Sequence, residues 1–328
     1  MKELCLIRTE LTDNTIEKLC TILQSKYRVI LRNDKDYKAH PFTDTELKNA
    51  SIIIGNPSIH TLAKCENLKW LQIASSGADV YAGCGLLHPD KTVLTNATGA
   101  YGHAIAEYMV AGVFALYKKL HLYRDNQFSG LWDDLGCVKT IRGSRVLVVG
   151  LGDIGGQFAE KMHALGAEIH GIKRTPSSLP LYVKSINTLD KLDRLLPQMD
   201  IVALCLPNSS RTQNIISINQ LELMKNDAVL INVGRGNAVD TDALAAALQK
   251  EIIGGALLDV TNPEPLPSYH PLWKAKNAII TPHISGGYHA RETVEAIEAI
   301  MLENAQRYVD GKELMNQVDY DTGYRKSK

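Results

Sequence analysis

The chain has 328 residues, with 36 Lys and Arg against 36 Asp and Glu, so its formal net charge is zero. Hydrophobic residues make up 45% and charged residues 22%, a globular balance with no basic excess, which argues against nucleic-acid binding. The apolar runs fall short of the roughly 18–20 residues that span a bilayer, and the length suits two domains or one large one.

At the N-terminus, MKELCLIRTELTDNT turns polar too soon for a secretory leader. ELCLIR is strand-like, and LTDNTIEKLCTILQSK repeats apolar residues at helical spacing behind a Thr-Asp-Asn cluster. YRVILRN, a short helix at DTELKNA, SIIIGN, a helix near HTLAKC, KWLQIAS and KTVLTNA continue the alternation. Strands alternating with helices predict a parallel sheet with βαβ crossovers. One long helix is expected from about Tyr101 to Arg124, apolar on most of its circumference and so buried on several sides. After a turn-rich stretch a second series begins, with RVLVVG, AEIHGI, IVALCL, AVLINV, GGALLDV and AIIT as strands. ARETVEAIEAIMLENAQRYVDGK closes the chain as a helix. The cysteines at 5, 20, 65, 84, 137 and 205 form no CxxC pair, which predicts reduced core thiols, no metal site and a cytoplasmic protein. The fold class expected is α/β, two doubly wound parallel-sheet domains, with small ligands bound in the cleft between them.

RVLVVGLGDIGGQFAEKMHALG sets Gly150, Gly152 and Gly155 in G-x-G-x-x-G register between a strand and a helix. Gly150 permits the tight turn, Gly152 lets backbone approach a pyrophosphate, and Gly155 lets helix and strand pack closely. The N–H groups and dipole at the helix start face the phosphate charge. An NAD site usually ends its second strand with a carboxylate for the ribose 2′-OH. Here the strand ends in Lys173, Arg174 and Thr175. A cationic pair and a hydroxyl suit a 2′-phosphate and favour NADP(H). The competing reading is solvated loop charges above an NAD(H) site.

Three further segments end strands of the second series. INVGRGNAVD holds Arg235, GALLDVTNPEPLP holds Asp259 and Glu264, and AIITPHISGG holds His283. Ends of parallel strands on one edge converge on one crevice. A guanidinium grips a carboxylate bidentately, and a histidine beside a carboxylate exchanges a proton near neutral pH. Those are the parts that reduction of a 2-oxo acid requires, given a hydride donor.

The chain resembles the D-isomer-specific 2-hydroxyacid dehydrogenase family over nearly its whole length. The resemblance runs through SSGADV at 75–80, TNATGAYGHAIAEY at 95–108, RGSRVLVVGLGDIGG at 142–156, LPNSSRT at 206–212, INVGRGNAVD at 231–240, the Asp259–Glu264 segment and TPHISGG at 281–287. It implies a Rossmann cofactor domain (99–285) inserted into a flavodoxin-like substrate domain (1–98 and 286–328). It also implies a homodimer built around the long helix and the loop after it. Carried over by position, Arg235 binds substrate carboxylate and carbonyl, His283 is the general acid/base, and Glu264 orients His283 and favours its protonated form. Asp153 and Ile154 meet the cofactor phosphates, Leu206, Pro207 and Thr212 flank the adenosine, Asp259 contacts the nicotinamide carboxamide, and Val233 and Gly234 are further cofactor-binding positions. The backbone at Ser76 and Gly77 receives the substrate carboxylate. Tyr101 is a weaker substrate-contact candidate, balanced by packing at the helix entry.

The activity implied is hydride transfer between NAD(P)H and a small 2-oxo acid such as glyoxylate or hydroxypyruvate. The alternatives are a 3-phosphoglycerate dehydrogenase without its regulatory domain and a dinucleotide-sensing, corepressor-like binding protein. The first lacks support from any cationic cluster near Ser75–Tyr81. The retained Arg235, Glu264 and His283 argue against the second.

Overall fold

A computed structural model describes residues 2–32, 41–174 and 179–326. It divides into two compact units, Met1–Tyr101 with Ala290–Lys328, and Gly102–His289. The crossings fall three and four residues later than the sequence reading places them.

The first unit holds β1 (Leu4–Arg8), β2 (Arg28–Leu31), β3 (Ala50–Gly55), β4 (Trp70–Gln72) and β5 (Val93–Thr95). They form one parallel sheet in the order β2-β1-β3-β4-β5. That is the flavodoxin-like doubly wound order. The run Cys5–Leu6–Ile7 and its neighbour Ile52–Ile53–Ile54 are buried, as expected of parallel strands covered on both faces. The helix Arg291–Val309 belongs to this unit and packs on the helix Asp13–Gln24, where Glu298 accepts the Thr12 N–H at 2.6 Å.

A buried polar chain ties that C-terminal segment to the sheet. Trp70 Nε1 donates to Thr95 Oγ1 (2.9 Å), Thr95 Oγ1 to Gln72 Oε1 (2.8 Å), and Asn304 Nδ2 to the same Gln72 oxygen (2.8 Å). Asn304 then brackets Met315, accepting its N–H at 2.7 Å and donating to its carbonyl at 3.1 Å. All four side chains of the chain are fully buried.

The second unit holds β6 (Arg145–Val149), β7 (Glu168–Ile172), β8 (Ser185–Asn187), β9 (Ile201–Leu204), β10 (Val229–Asn232), β11 (Gly255–Leu258) and β12 (Ala278–Ile280). Every pairing is parallel and the order is β12-β11-β10-β9-β6-β7-β8. Read from β8, this is the Rossmann order with a seventh strand, and the direction of winding reverses between β6 and β9. The three-residue edge strand β8 was not anticipated, because it is too short and only half-buried to show a period.

The long helix expected from Tyr101 to Arg124 is two helices, Gly102–Tyr117 and Leu120–Phe128. Lys119 between them takes a left-handed backbone with φ +56°, a single-residue reversal that hydrophobic periodicity does not register. Its ammonium and that of Lys118 bond to the carbonyls of Leu135 and Lys139, fastening the break to the following loop. Within the single chain the first helix is buried along one side. Its buried positions (Gly102, Ile105, Ala106, Met109, Gly112, Val113, Leu116 and Tyr117) form one stripe, and Phe114 is exposed.

All six cysteines are free, but Cys137 lies exposed in the loop after the second helix rather than in a core. Among the described residues no helix is long and apolar enough to cross a membrane.

Replacing Asn304 with Ala takes from Gln72 Oε1 one of its two donors and strips the Met315 N–H and carbonyl of their Asn304 partners. The expected cost is about 1–3 kcal/mol, read as a thermal transition several degrees lower. An unchanged melting curve would show that the polar chain adds nothing to the unit.

Candidate active site

In an all-parallel sheet every strand leaves by the same edge. β6, β7, β9, β10, β11 and β12 therefore release the segments at Gly150, Lys173, Leu206, Arg235, Asp259 and His283 along one side of the second unit.

Gly150 follows β6 with φ +101°, and a Cβ there would stand 2.6 Å from the Cys205 carbonyl oxygen. Gly155 packs its helix onto the turn, since a Cβ would meet the Gly150 oxygen at 2.1 Å and Val148 Cγ1 at 2.8 Å. Around Gly152, by contrast, nothing lies within 4 Å of a Cβ position. The helix Asp153–Ala164 thus starts behind an open, side-chain-free turn, which fits a dinucleotide pyrophosphate. Asp153 and Ile154 occupy its first two positions.

At the next exit Lys173 is half-buried, with its N–H bonded to the Asn187 carbonyl at 2.9 Å, and Arg174 is exposed. Thr175 lies outside the described residues. Past β9, Thr212 folds the loop back on itself: its hydroxyl donates to the Pro207 carbonyl at 2.8 Å and accepts the Ser209 N–H at 2.9 Å. Leu206 and Gly234 abut so closely that a Cβ on the glycine would sit 2.3 Å from the Leu206 oxygen.

Arg235 is presented by a turn braced from below. Asn232, the last residue of β10 and fully buried, accepts the Gly234 N–H at 3.1 Å and donates to the Arg235 carbonyl at 3.0 Å. Val233 is buried beside it. The half-buried guanidinium bonds the Gly234 carbonyl at 2.9 Å.

His283 and Glu264 meet: Nδ1 and Oε1 are 2.6 Å apart, with both side chains about half exposed. This is a short contact of the charge-assisted kind, and it leaves Nε2 as the nitrogen for proton transfer. The His283 backbone has φ +56°, a conformation costing a non-glycine residue on the order of 1–3 kcal/mol. Its N–H is held by the carbonyls of Asp259 (2.8 Å) and Thr281 (3.0 Å).

Asp259, 2% exposed, aims its carboxylate at the same turn. It accepts Thr281 Oγ1 at 2.6 Å, the Ile284 N–H at 2.8 Å, the Ser285 N–H at 3.0 Å and the Ser285 hydroxyl. Four donors match the roughly four acceptor sites of a carboxylate.

The remaining candidates belong to the first unit. Ser76 and Gly77 lie half-buried in the loop after β4, where the Ser76 carbonyl accepts Asn96 Nδ2 at 2.7 Å and Ser75 Oγ donates to the Gly77 carbonyl at 2.9 Å. Tyr101 is buried, its hydroxyl bonded to the Ala74 carbonyl at 2.5 Å. Sequence reasoning passed over Asn232, Thr281 and Ser285. For Asn232 the signal available was a polar residue ending an otherwise apolar buried strand, since such a residue needs a reason to be there, whereas Thr281 and Ser285 follow a half-buried strand that carries no such signal.

A family model described as "D-isomer specific 2-hydroxyacid dehydrogenase, NAD binding domain" matches residues 110–285. The glyoxylate reductase of Thermofilum pendens is 33% identical over 81% of this chain and 76% of its own. The glycerate dehydrogenase of Methylorubrum extorquens is 30% identical over 77% of this chain and 79% of its own. A crystal structure of a D-isomer specific 2-hydroxyacid dehydrogenase from Xanthobacter autotrophicus Py2, in complex with NADPH and MES, is 26% identical. It superposes with a TM-score of 0.80, covering 99% of this chain and 100% of the other. With its two parallel sheets and its glycine turn, the chain belongs to the D-isomer-specific 2-hydroxyacid dehydrogenases, NAD(P)-dependent enzymes built on a Rossmann cofactor domain.

Proposed function

We propose that the protein reduces a small 2-oxo acid, of the size of glyoxylate or hydroxypyruvate, to the D-2-hydroxy acid, with NADP(H) as its preferred cofactor. The observation that carries this is the His283–Glu264 pair on the edge that also releases Arg235 and the glycine turn. The glyoxylate reductase and glycerate dehydrogenase among its relatives support a small acid.

When bound, the reduced dinucleotide supplies the hydride. Arg235 holds the substrate carboxylate and polarises the carbonyl. As C2 accepts the hydride, the carbonyl π pair moves onto oxygen, and His283 gives that oxygen its Nε2 proton. Glu264, on Nδ1, fixes the ring and keeps Nε2 as the nitrogen for the transfer. Asp153–Ile154 and the helix start hold the pyrophosphate, and Leu206, Pro207 and Thr212 flank the adenosine. Lys173 and Arg174 are assigned to a ribose 2′-phosphate, with no carboxylate at the end of β7 to favour a bare hydroxyl.

A second copy of the chain is the proposed partner. Phe128 is 84% exposed, Trp132 is fully exposed, and Leu120 and Leu131 are more than half exposed on the helix Leu120–Phe128 and its loop. Four large apolar side chains this exposed within one short segment of chain support an interface there.

His283→Ala should abolish turnover of every 2-oxo acid while NADPH binding, followed by nicotinamide fluorescence, survives; near-normal turnover would remove the assigned role. A panel of 2-oxo acids run with both cofactors tests the rest. NADPH should show the lower KM, and Lys173→Ala with Arg174→Ala should erase that preference; an NADH preference in the unaltered protein would sink it. If cofactor binds but no acid turns over, the protein is a dinucleotide-binding protein rather than a reductase. Phe128→Asp with Trp132→Asp should give a monomer by light scattering, from a parent of twice that mass.

A further inference from the structure

The turn that carries His283 hangs on Asp259 from both sides. The Asp259 carbonyl takes the His283 N–H, and its carboxylate takes donors from residues 281, 284 and 285, which bracket His283 in the chain. One step further out, Thr281 Oγ1 lies 2.6 Å from the Tyr108 hydroxyl. Thr281 owns a single hydroxyl proton, and a carboxylate is an acceptor only. That proton is therefore spent on Asp259, and the Tyr108 hydroxyl must be the donor to Thr281. Burial first, and then the Asp259 charge, push the Tyr108 phenol up to about 12 against an opposing hydrogen-bond contribution from Thr281, so the phenol keeps its proton. The result is a one-way chain, Tyr108 to Thr281 to Asp259. It starts on the sixteen-residue helix Gly102–Tyr117, whose buried stripe docks on the sheet.

We infer that Tyr108 and Thr281 are positioning residues for the reaction, holding the His283 turn in its left-handed conformation through Asp259. The inference rests on His283 being the acid/base group. Without the Thr281 hydroxyl, Asp259 loses a donor and can rotate away from the Ile284 and Ser285 N–H groups. The strained turn then relaxes and the imidazole leaves its station. A displacement of about 1 Å at a reacting group is enough to cost up to about a hundred-fold in rate.

The test uses the full chain with glyoxylate and NADPH, comparing Thr281→Val, Thr281→Ser and Tyr108→Phe. Thr281→Val should lower kcat roughly ten- to hundred-fold, while the Kd for NADPH stays within about three-fold of the parent. Thr281→Ser, which returns the hydroxyl, should restore kcat to within about three-fold. Tyr108→Phe should lower kcat in the same sense by less. A merely structural role would lower the yield or the melting temperature but not kcat per NADPH-binding site. Parent kcat in Thr281→Val overturns the inference, as does a loss that serine leaves unrestored or that falls equally on NADPH affinity. Should Thr281→Val fail to fold, Tyr108→Phe decides: parent kcat there overturns it. An active His283→Ala, or a parent chain that turns over no 2-oxo acid, overturns the acid/base reading and this inference with it. An active parent, an inactive His283→Ala and an unaffected Thr281→Val overturn this inference alone.

Discussion

The second unit is organised around one buried carboxylate. Asp259 leaves β11 with its N–H on the Asn232 carbonyl, gives its own carbonyl to the His283 N–H, and spends its side chain on the residues around that histidine. A charge so nearly excluded from water is tolerable only when its lone pairs are filled, and here protein donors fill them. Asn232 performs the neutral version of the same task one strand away, clamping both sides of the turn that presents Arg235. Two adjacent strands thus end in buried polar residues whose partners are the backbones of the two segments that carry charge outward. The groups assigned to chemistry can be half exposed because those holding them are not.

The parallel sheet explains why the site is dispersed in sequence. Each crossover returns the chain to the opposite edge before the next strand begins, so every exit loop is delivered to the same side. Proximity along the chain then carries no information about proximity in space. Glu264 and His283, nineteen residues apart, meet because β12 pairs with β11 in parallel register.

Much of this was legible in the sequence, for a physical reason. The glycine turn, Arg235, Glu264 and His283 are residue types that the proposed chemistry demands, and alternating apolar runs announced both parallel sheets. What escaped was what geometry alone decides. Lys119 reverses the backbone for a single residue, and β8 is a three-residue edge strand. Asn232, Thr281 and Tyr108 are ordinary residues until their partners are known, and those partners lie as far as 173 positions away. The chain by itself buries only one stripe of the first helix, because apolar composition does not say which side the chain itself covers. Phe114, Phe128 and Trp132 are left on the outside.

The polar chain through Trp70, Thr95, Gln72 and Asn304 has a consequence for biosynthesis. The residues Gly102–His289 are contiguous, so that unit's contacts can all form once position 289 has left the ribosome. The earlier-made unit is different: its Gln72 waits for an amide 232 residues downstream. Of the two units, the one begun earlier in the chain is therefore the later to be finished, and until the helix Arg291–Val309 emerges it presents a polar seam where a dry core will later close.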